Sequence, residues 1–277
     1  MTPDEYCQQK AAASGSSFYY SFLFLPPERR RAITALYAFC REVDDVVDEC
    51  AEPQLAATKL AWWRLEVGRL FAGDPGHPVT KALQPFVARF GMKEAHLNEI
   101  VAGMEMDLTQ TRYLDFAALE RYCYHVAGAV GLLAAGIFGY SDARTLEYAK
   151  CLGTAFQLTN IIRDVGEDAR KNRIYLPMDE LRQFGVTAAD ILSGSHTERF
   201  TKLMEYQARR AESFYEKAMR TLPPQDRRAQ RAGLVMAAIY CATLAEIERD
   251  GFRVLAQRTS LTPLRKLWLA WKTWVTA

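Results

Sequence analysis

Apolar residues recur at helical spacing along nearly the whole chain, as in Ile33, Leu36, Tyr37, Cys40 and the run from Val43 to Val47, while alternating strand-like stretches are scarce. The pattern predicts an all-α protein. It breaks at Gly73-Asp74-Pro75-Gly76, Gly139-Tyr140-Ser141-Asp142, Ser193-Gly194-Ser195 and Pro223-Pro224, residues that favour turns. Between these breaks the periodicity places helices at 28–49, 53–72, 78–90, 93–109, 115–139, 142–169, 196–221 and 226–257. Pro26-Pro27 followed by Glu28 marks the first start, because proline fits an opening turn and an acidic side chain suits its positive end. No repeat or low-complexity linker divides the 277 residues, which suffice for one sizeable core, so a single domain over 1–277 is expected.

Two of these helices carry carboxylates within otherwise apolar stretches. Arg41-Glu42-Val43-Asp44-Asp45-Val46-Val47-Asp48 sets Asp44 and Asp48 on one face, separated by a rise of roughly 6 Å. In Asn160-Ile161-Ile162-Arg163-Asp164-Val165-Gly166-Glu167-Asp168, the side chains of Asn160, Asp164 and Asp168 form a longer stripe, with Gln157 one turn earlier. Hard oxygen donors without histidine or cysteine suit Mg²⁺, which is held by a few carboxylates together with water and substrate phosphates. With 33 acidic residues, about four pairs at this spacing arise by chance, so the spacing alone fits a surface charge network as well as a metal–diphosphate site. Arg41 and Arg163 stand beside the two sets, placed either to bind diphosphate oxygens or to form local salt bridges.

Charge narrows the choice of partners. A net charge of +2 with interleaved signs lacks the field of a nucleic-acid binder. Cys7, Cys40, Cys50, Cys123, Cys151 and Cys241 include no CxxC pair, which suits reduced thiols in the cytoplasm and gives no zinc site. The start, with Asp4 and Glu5, does not read as a leader, and no stretch reaches the roughly 20 apolar residues of a membrane span. The segment 264–275 sets Leu264, Leu267, Trp268, Trp271 and Trp274 near one stripe flanked by basic residues. Such a stripe suits either peripheral contact with the inner membrane or docking on the domain.

Lesser signals have two readings each. Gly128, Gly131, Ala135, Gly136 and Gly139 thin one helix, either for a long ligand or for close packing. Phe18, Phe22, Phe39 and Tyr122 read as core or cavity lining, His96 and His125 as structural, and Arg29-Arg30-Arg31 as a solvated face.

Taken together, Ser17-Phe18, YAFCREVDDVVDE at 37–49, YCYHVAGAVG at 122–131 and QLTNIIRDVGEDARKNRIYLP at 157–177 resemble the squalene/phytoene synthase family, in its order and spacing. The likeness covers practically the whole chain. It implies an isoprenoid-synthase fold in which two aspartate-rich helices face each other across a deep cavity with Mg²⁺ between them, Mn²⁺ being a substitute. Asp44, Asp48, Asn160, Asp164 and Asp168 match the metal positions, and Asp44, Asp48, Asp164 and Asp168 with Arg41 and Arg163 the catalytic set. Ser17, Phe18, Tyr37, Arg41, Tyr122, Gln157, Arg163, Tyr240 and Arg258 match positions near substrate. Where several members carry a basic residue or histidine before the Ser-Phe pair, this chain has Ser14-Gly15-Ser16.

The whole-chain wording is most similar to bacterial hopanoid-pathway presqualene diphosphate synthases. The resemblance therefore implies condensation of two farnesyl diphosphates without NADPH, followed by a separate reductive enzyme. The alternatives are phytoene or dehydrosqualene synthase, a full NADPH-dependent squalene synthase, and an inactive assembly factor, which would be expected to have lost its acidic residues. A terpene cyclase would pair a single aspartate motif with an asparagine–serine–glutamate set.

Overall fold

The computed structural model of the chain describes residues 1–13, 18–50 and 52–277. Ser17 lies outside them. Among the described residues there is no strand, only one isolated bridge between Arg112 and Ile174. The all-α expectation holds.

Local chemistry fixes most of the helix ends. Helix α3 (Pro27–Glu49) and α4 (Pro53–Ala72) both open on a proline, and Gly73 closes α4 at φ 87°, a left-handed conformation in which its N–H reaches the carbonyls of Arg69 and Leu70. Asp115 accepts from the Ala118 N–H to start α7 (Phe116–Cys123), and Thr197 accepts from Phe200 to start α12 (Glu198–Thr221). Helices α5 (Pro78–Val87) and α6 (Glu94–Thr109) complete the half of the core around α3. The other half gathers around α9 (Arg144–Arg170), α12 and α13 (Arg231–Arg249).

The expected helix at 115–139 is interrupted. A π turn over Tyr124–Gly128 separates α7 from α8 (Ala129–Phe138), and periodicity gives no sign of it because all three pieces are apolar. Helix α1 (Pro3–Ala13) was not anticipated, since it buries only Cys7 and Ala11 and so shows no stripe. Short helices α2 (Phe18–Phe22), α10 (Met178–Gln183) and α11 (Ala188–Leu192) fall below the length at which a period can be read. The expected 226–257 helix is confined to α13, and the C-terminal stripe becomes α14 (Pro263–Thr276).

The glycine-rich stretch serves close packing, and its Gly131 and Ala135 also border a cavity. A Cβ on Gly131 would sit 2.4 Å from the Ala149 carbonyl oxygen, and one on Gly153 at the same distance from that of Ala127. These paired approaches lock α8 and the π turn against α9. Of the triple arginine, Arg30 and Arg31 are exposed as expected, whereas Arg29 turns partly inward. Arg29 donates to the Phe138 carbonyl at the end of α8, Arg30 to the carbonyls of Leu23 and Leu25, and Arg31 pairs with Asp4 at 2.7 Å. Among the described residues no helix is long and apolar enough to cross a membrane.

Candidate active site

Helices α3 and α9 face each other across a cavity of about 700 Å³. On α3 the lining steps one turn at a time from Ile33 through Leu36, Tyr37, Cys40 and Arg41 to Asp44. On α9 it steps from Tyr148 through Leu152 and Phe156 to Asn160 and Arg163. Both walls are apolar for most of their length and polar at one end. The two motifs that the sequence sets on separate helices therefore meet at that end.

The carboxylates there are not isolated. Arg41 bonds Asp44 and, at 2.6 Å, Asp45; Arg163 donates through Nε to Asp164 at 2.7 Å, and Arg258 reaches the same Asp164 oxygen at 2.9 Å. Asp48 takes Lys171 at 3.0 Å and Arg173 at 3.3 Å. A further carboxylate, Asp107 of α6, accepts from the hydroxyls of Tyr175 at 2.8 Å and Tyr122 at 2.9 Å. Burial pushes the Asp44 carboxyl up to about 6 against the pull of Arg41, and Asp48 adds to the rise. Burial raises Asp168 to about 7, reinforced by Asp164, and Asp107 to about 6 despite its two tyrosine partners. Negative charge is thus costly here, and arginines and lysines offset only part of it.

That imbalance tests whether a cation suits the residues. Among the described residues, no three carboxylate, histidine or cysteine side chains close around one point as a ready cage. The Asn160 Oδ1 is buried without a hydrogen-bond partner. An orphaned carbonyl oxygen beside raised carboxylates is a donor set that suits a hard cation, and Mg²⁺ ordinarily takes only one or two carboxylates with waters and phosphates. The residues fit.

Of the residues expected near substrate, Phe18, Tyr37, Arg41, Tyr122, Gln157, Arg163, Tyr240 and Arg258 all line the cavity. Asp44 and Asn160 also line it, whereas Asp48, Asp164 and Asp168 stand at its charged end in the pairs and charge contacts above. The Tyr240 hydroxyl meets Asn160 and Arg163, and its ring packs on Phe156 with centroids 4.7 Å apart. Of the aromatics, Phe22 lines the cavity but Phe39 packs on Trp63 in the core.

Sequence reasoning missed Asp107, Lys171, Arg173 and Tyr175. Three of them lay within the quoted 157–177 segment, whose length beyond the acidic stripe was the available signal. It also missed Lys266, which lines the cavity and whose ammonium is held below its usual range by burial and by the nearby charges of Arg163 and Arg258.

The squalene/phytoene synthase family model matches residues 11–265. The phytoene synthase of Arthrospira platensis is 37% identical over 279 residues, covering 95% of this chain and 89% of its own. Two longer plastid phytoene synthases are spanned to 65% and 63% of their length. Among solved structures, a dehydrosqualene synthase superposes with a TM-score of 0.86 at 29% identity, covering 98% of this chain and 95% of its own. Squalene synthase HpnC of Alicyclobacillus acidocaldarius gives 0.79 at 29% identity, with 90% and 94% covered.

Proposed function

This chain belongs to the squalene/phytoene synthase family, and from that premise we propose that it condenses two farnesyl diphosphates head to head into presqualene diphosphate. The observation that carries the reading is the cavity, with long apolar walls and with arginines and carboxylates gathered at one end. That shape accepts two prenyl tails side by side and holds their diphosphates together.

Asp44, Asp48, Asn160, Asp164 and Asp168 are the residues that would hold Mg²⁺, which when bound supplies Lewis-acid stabilisation to a leaving diphosphate. Arg41, Arg163 and Arg258 bind diphosphate oxygens, their present carboxylate partners marking where they are aimed. Tyr37, Phe156 and Tyr240 wall the allylic carbons off from water. One C–O bond breaks, releasing diphosphate. The allylic cation is attacked by the allylic double bond of the second substrate, and loss of a proton closes the cyclopropane. Tyr122 lines the cavity and already donates its hydroxyl proton to Asp107, so it can take up that proton only by passing its own to the Asp107 carboxylate; released diphosphate is the other acceptor.

A second reading, phytoene synthesis from two geranylgeranyl diphosphates, is favoured by the names of the relatives at 37% and 36% identity. The structural neighbours with squalene-type names favour the shorter substrate. Purified protein incubated with Mg²⁺ and either diphosphate, with and without NADPH, separates them by product mass. The expected outcome is presqualene diphosphate from farnesyl diphosphate, not carried on to squalene by NADPH. Preferential turnover of geranylgeranyl diphosphate moves the assignment to phytoene synthase, and efficient squalene formation moves it to a full squalene synthase.

A further inference from the structure

Helix α14 is half docked. Its inner side packs on α13 and α2 through the buried Ala270 and through Trp274, whose ring stacks on Phe24 at 5.5 Å. Its outer side leaves Leu264, Leu267, Trp268, Trp271 and Val275 exposed by 79%, 41%, 53%, 57% and 61% of their surface. At about 100° per residue these five fall within an arc of about 100°, a continuous apolar stripe on a helix that has already met its packing needs elsewhere. Two tryptophans and two leucines in one outward stripe exceed the scattered apolar exposure of an ordinary surface.

The chain segment that carries the stripe bears charge of one sign. Residues 251–277 contain Arg253, Arg258, Arg265, Lys266 and Lys272 and no aspartate or glutamate. Arg265 and Lys272 lie along one edge of the stripe; Arg265 is paired with Glu246 of α13 at 2.6 Å, whereas the Lys272 ammonium lies 5.0 Å from the centroid of the Trp268 ring. The same segment walls the cavity, since Leu261 and Lys266 line it. An apolar cavity and an outward apolar stripe therefore share one stretch of chain.

We propose that the outer face of α14 docks on a lipid bilayer bearing anionic headgroups. Trp268 and Trp271 lie at the headgroup boundary, the leucines and Val275 dip below it, and Lys272 meets lipid phosphates. This docking brings the cavity wall at 261–266 beside the membrane, which lets the long hydrocarbon chains of the product pass from cavity to bilayer while its remaining diphosphate stays at the headgroups. The docking surface stands independently of the reaction proposed above; only its use for product release rests on that reading.

The test is flotation of the full chain with extruded vesicles, one set of phosphatidylcholine alone and one containing phosphatidylglycerol. Tryptophan emission and light-scattering mass are recorded in parallel. The parent chain is expected to float with the phosphatidylglycerol vesicles, with a blue shift in emission and weaker binding at high salt. Trp268→Ser combined with Trp271→Ser should lower that partition at least about tenfold, and Lys272→Glu should lower it only for the anionic vesicles. Circular dichroism of each variant checks the fold, and Lys272→Glu keeps the test open should the double variant misfold. Absence of binding to either vesicle, or binding that both variants leave unchanged, overturns the proposal. So does a dimer in solution that the double variant converts to monomer while vesicles capture nothing, because the stripe then belongs to a second copy.

Discussion

Arg258 donates its Nε–H to Asp164 at 2.9 Å, tying the segment that follows α13 to the acidic motif of α9. Asp164 also holds Arg163, and the Arg258 side chain remains half exposed, so the added pair contributes about 0–1 kcal/mol to stability. A residue that does little for folding yet points into the charged end of the cavity is expected to act on substrate. Arg258→Ala should therefore lower kcat/KM for farnesyl diphosphate by about 10- to 100-fold with little change in Tm, and Arg258→Lys should recover part of the loss. Equal kcat/KM in parent and alanine variant would remove Arg258 from the site.

Chelation should be decisive. EDTA is expected to abolish turnover and Mg²⁺, or Mn²⁺ in its place, to restore it, while Asp48→Ala and Asp164→Ala should each lose at least about a hundredfold with helix content unchanged. Full activity in metal-free buffer sinks the metal assignment. Because Asp44 sits at about 6 and Asp168 at about 7, protons compete with the cation as pH falls. The Mg²⁺ concentration giving half-maximal turnover should then rise about tenfold between pH 8 and pH 6. A requirement that stays constant across that range contradicts the role given to these two residues.

Asp107 allows a separate test through stability. Its folded carboxyl is raised from 3.8 to about 6, so the native state holds a proton that the unfolded chain has already released. Its contribution is therefore greatest below about pH 4 and is lost as pH climbs through about 6, a swing of about 3 kcal/mol at most. Asp107→Asn lacks that titration. Relative to the parent it should gain stability between pH 4.5 and pH 7 in urea midpoints. Parallel pH profiles for the two proteins count against the buried, protonatable state of Asp107.

The amount legible in the sequence differed by feature for physical reasons. Helices α3, α4 and α12 announced themselves because proline, glycine or threonine marks their ends and apolar residues recur along one face. The motif residues of α3 and α9 were readable as two stripes, yet spacing within a helix says nothing of which helices face each other. Their meeting across the cavity was available only through the family resemblance. Asp107 and Lys266 were invisible for a related reason: each is a lone charged residue whose place depends on helices distant in sequence. Of the triple arginine, Arg30 and Arg31 are exposed as a charge run suggests, but Arg29 spends its guanidinium on the Phe138 carbonyl, which a charge pattern cannot reveal.

Substrate length should be set at the apolar end. Counting from Tyr122, beside the acidic cluster, the cavity-lining face steps through Val126, Val130 and Ala134 to Phe138, so Ala134 lies about 18 Å along the helix axis from the charged end. Ile33 on α3 is about 16 Å from Asp44 by the same rise, which puts both residues at one depth. Bulk added there meets the tail tip and leaves the diphosphates undisturbed. Ala134→Phe is therefore expected to cut kcat/KM for geranylgeranyl diphosphate at least about tenfold more than for farnesyl diphosphate, while Phe138→Ala shifts the ratio the other way. Competition between the two diphosphates, read by product mass, measures the ratio directly. If Ala134→Phe slowed both substrates equally, the tails would not run along α8 and the depth assigned to this end of the cavity would be wrong.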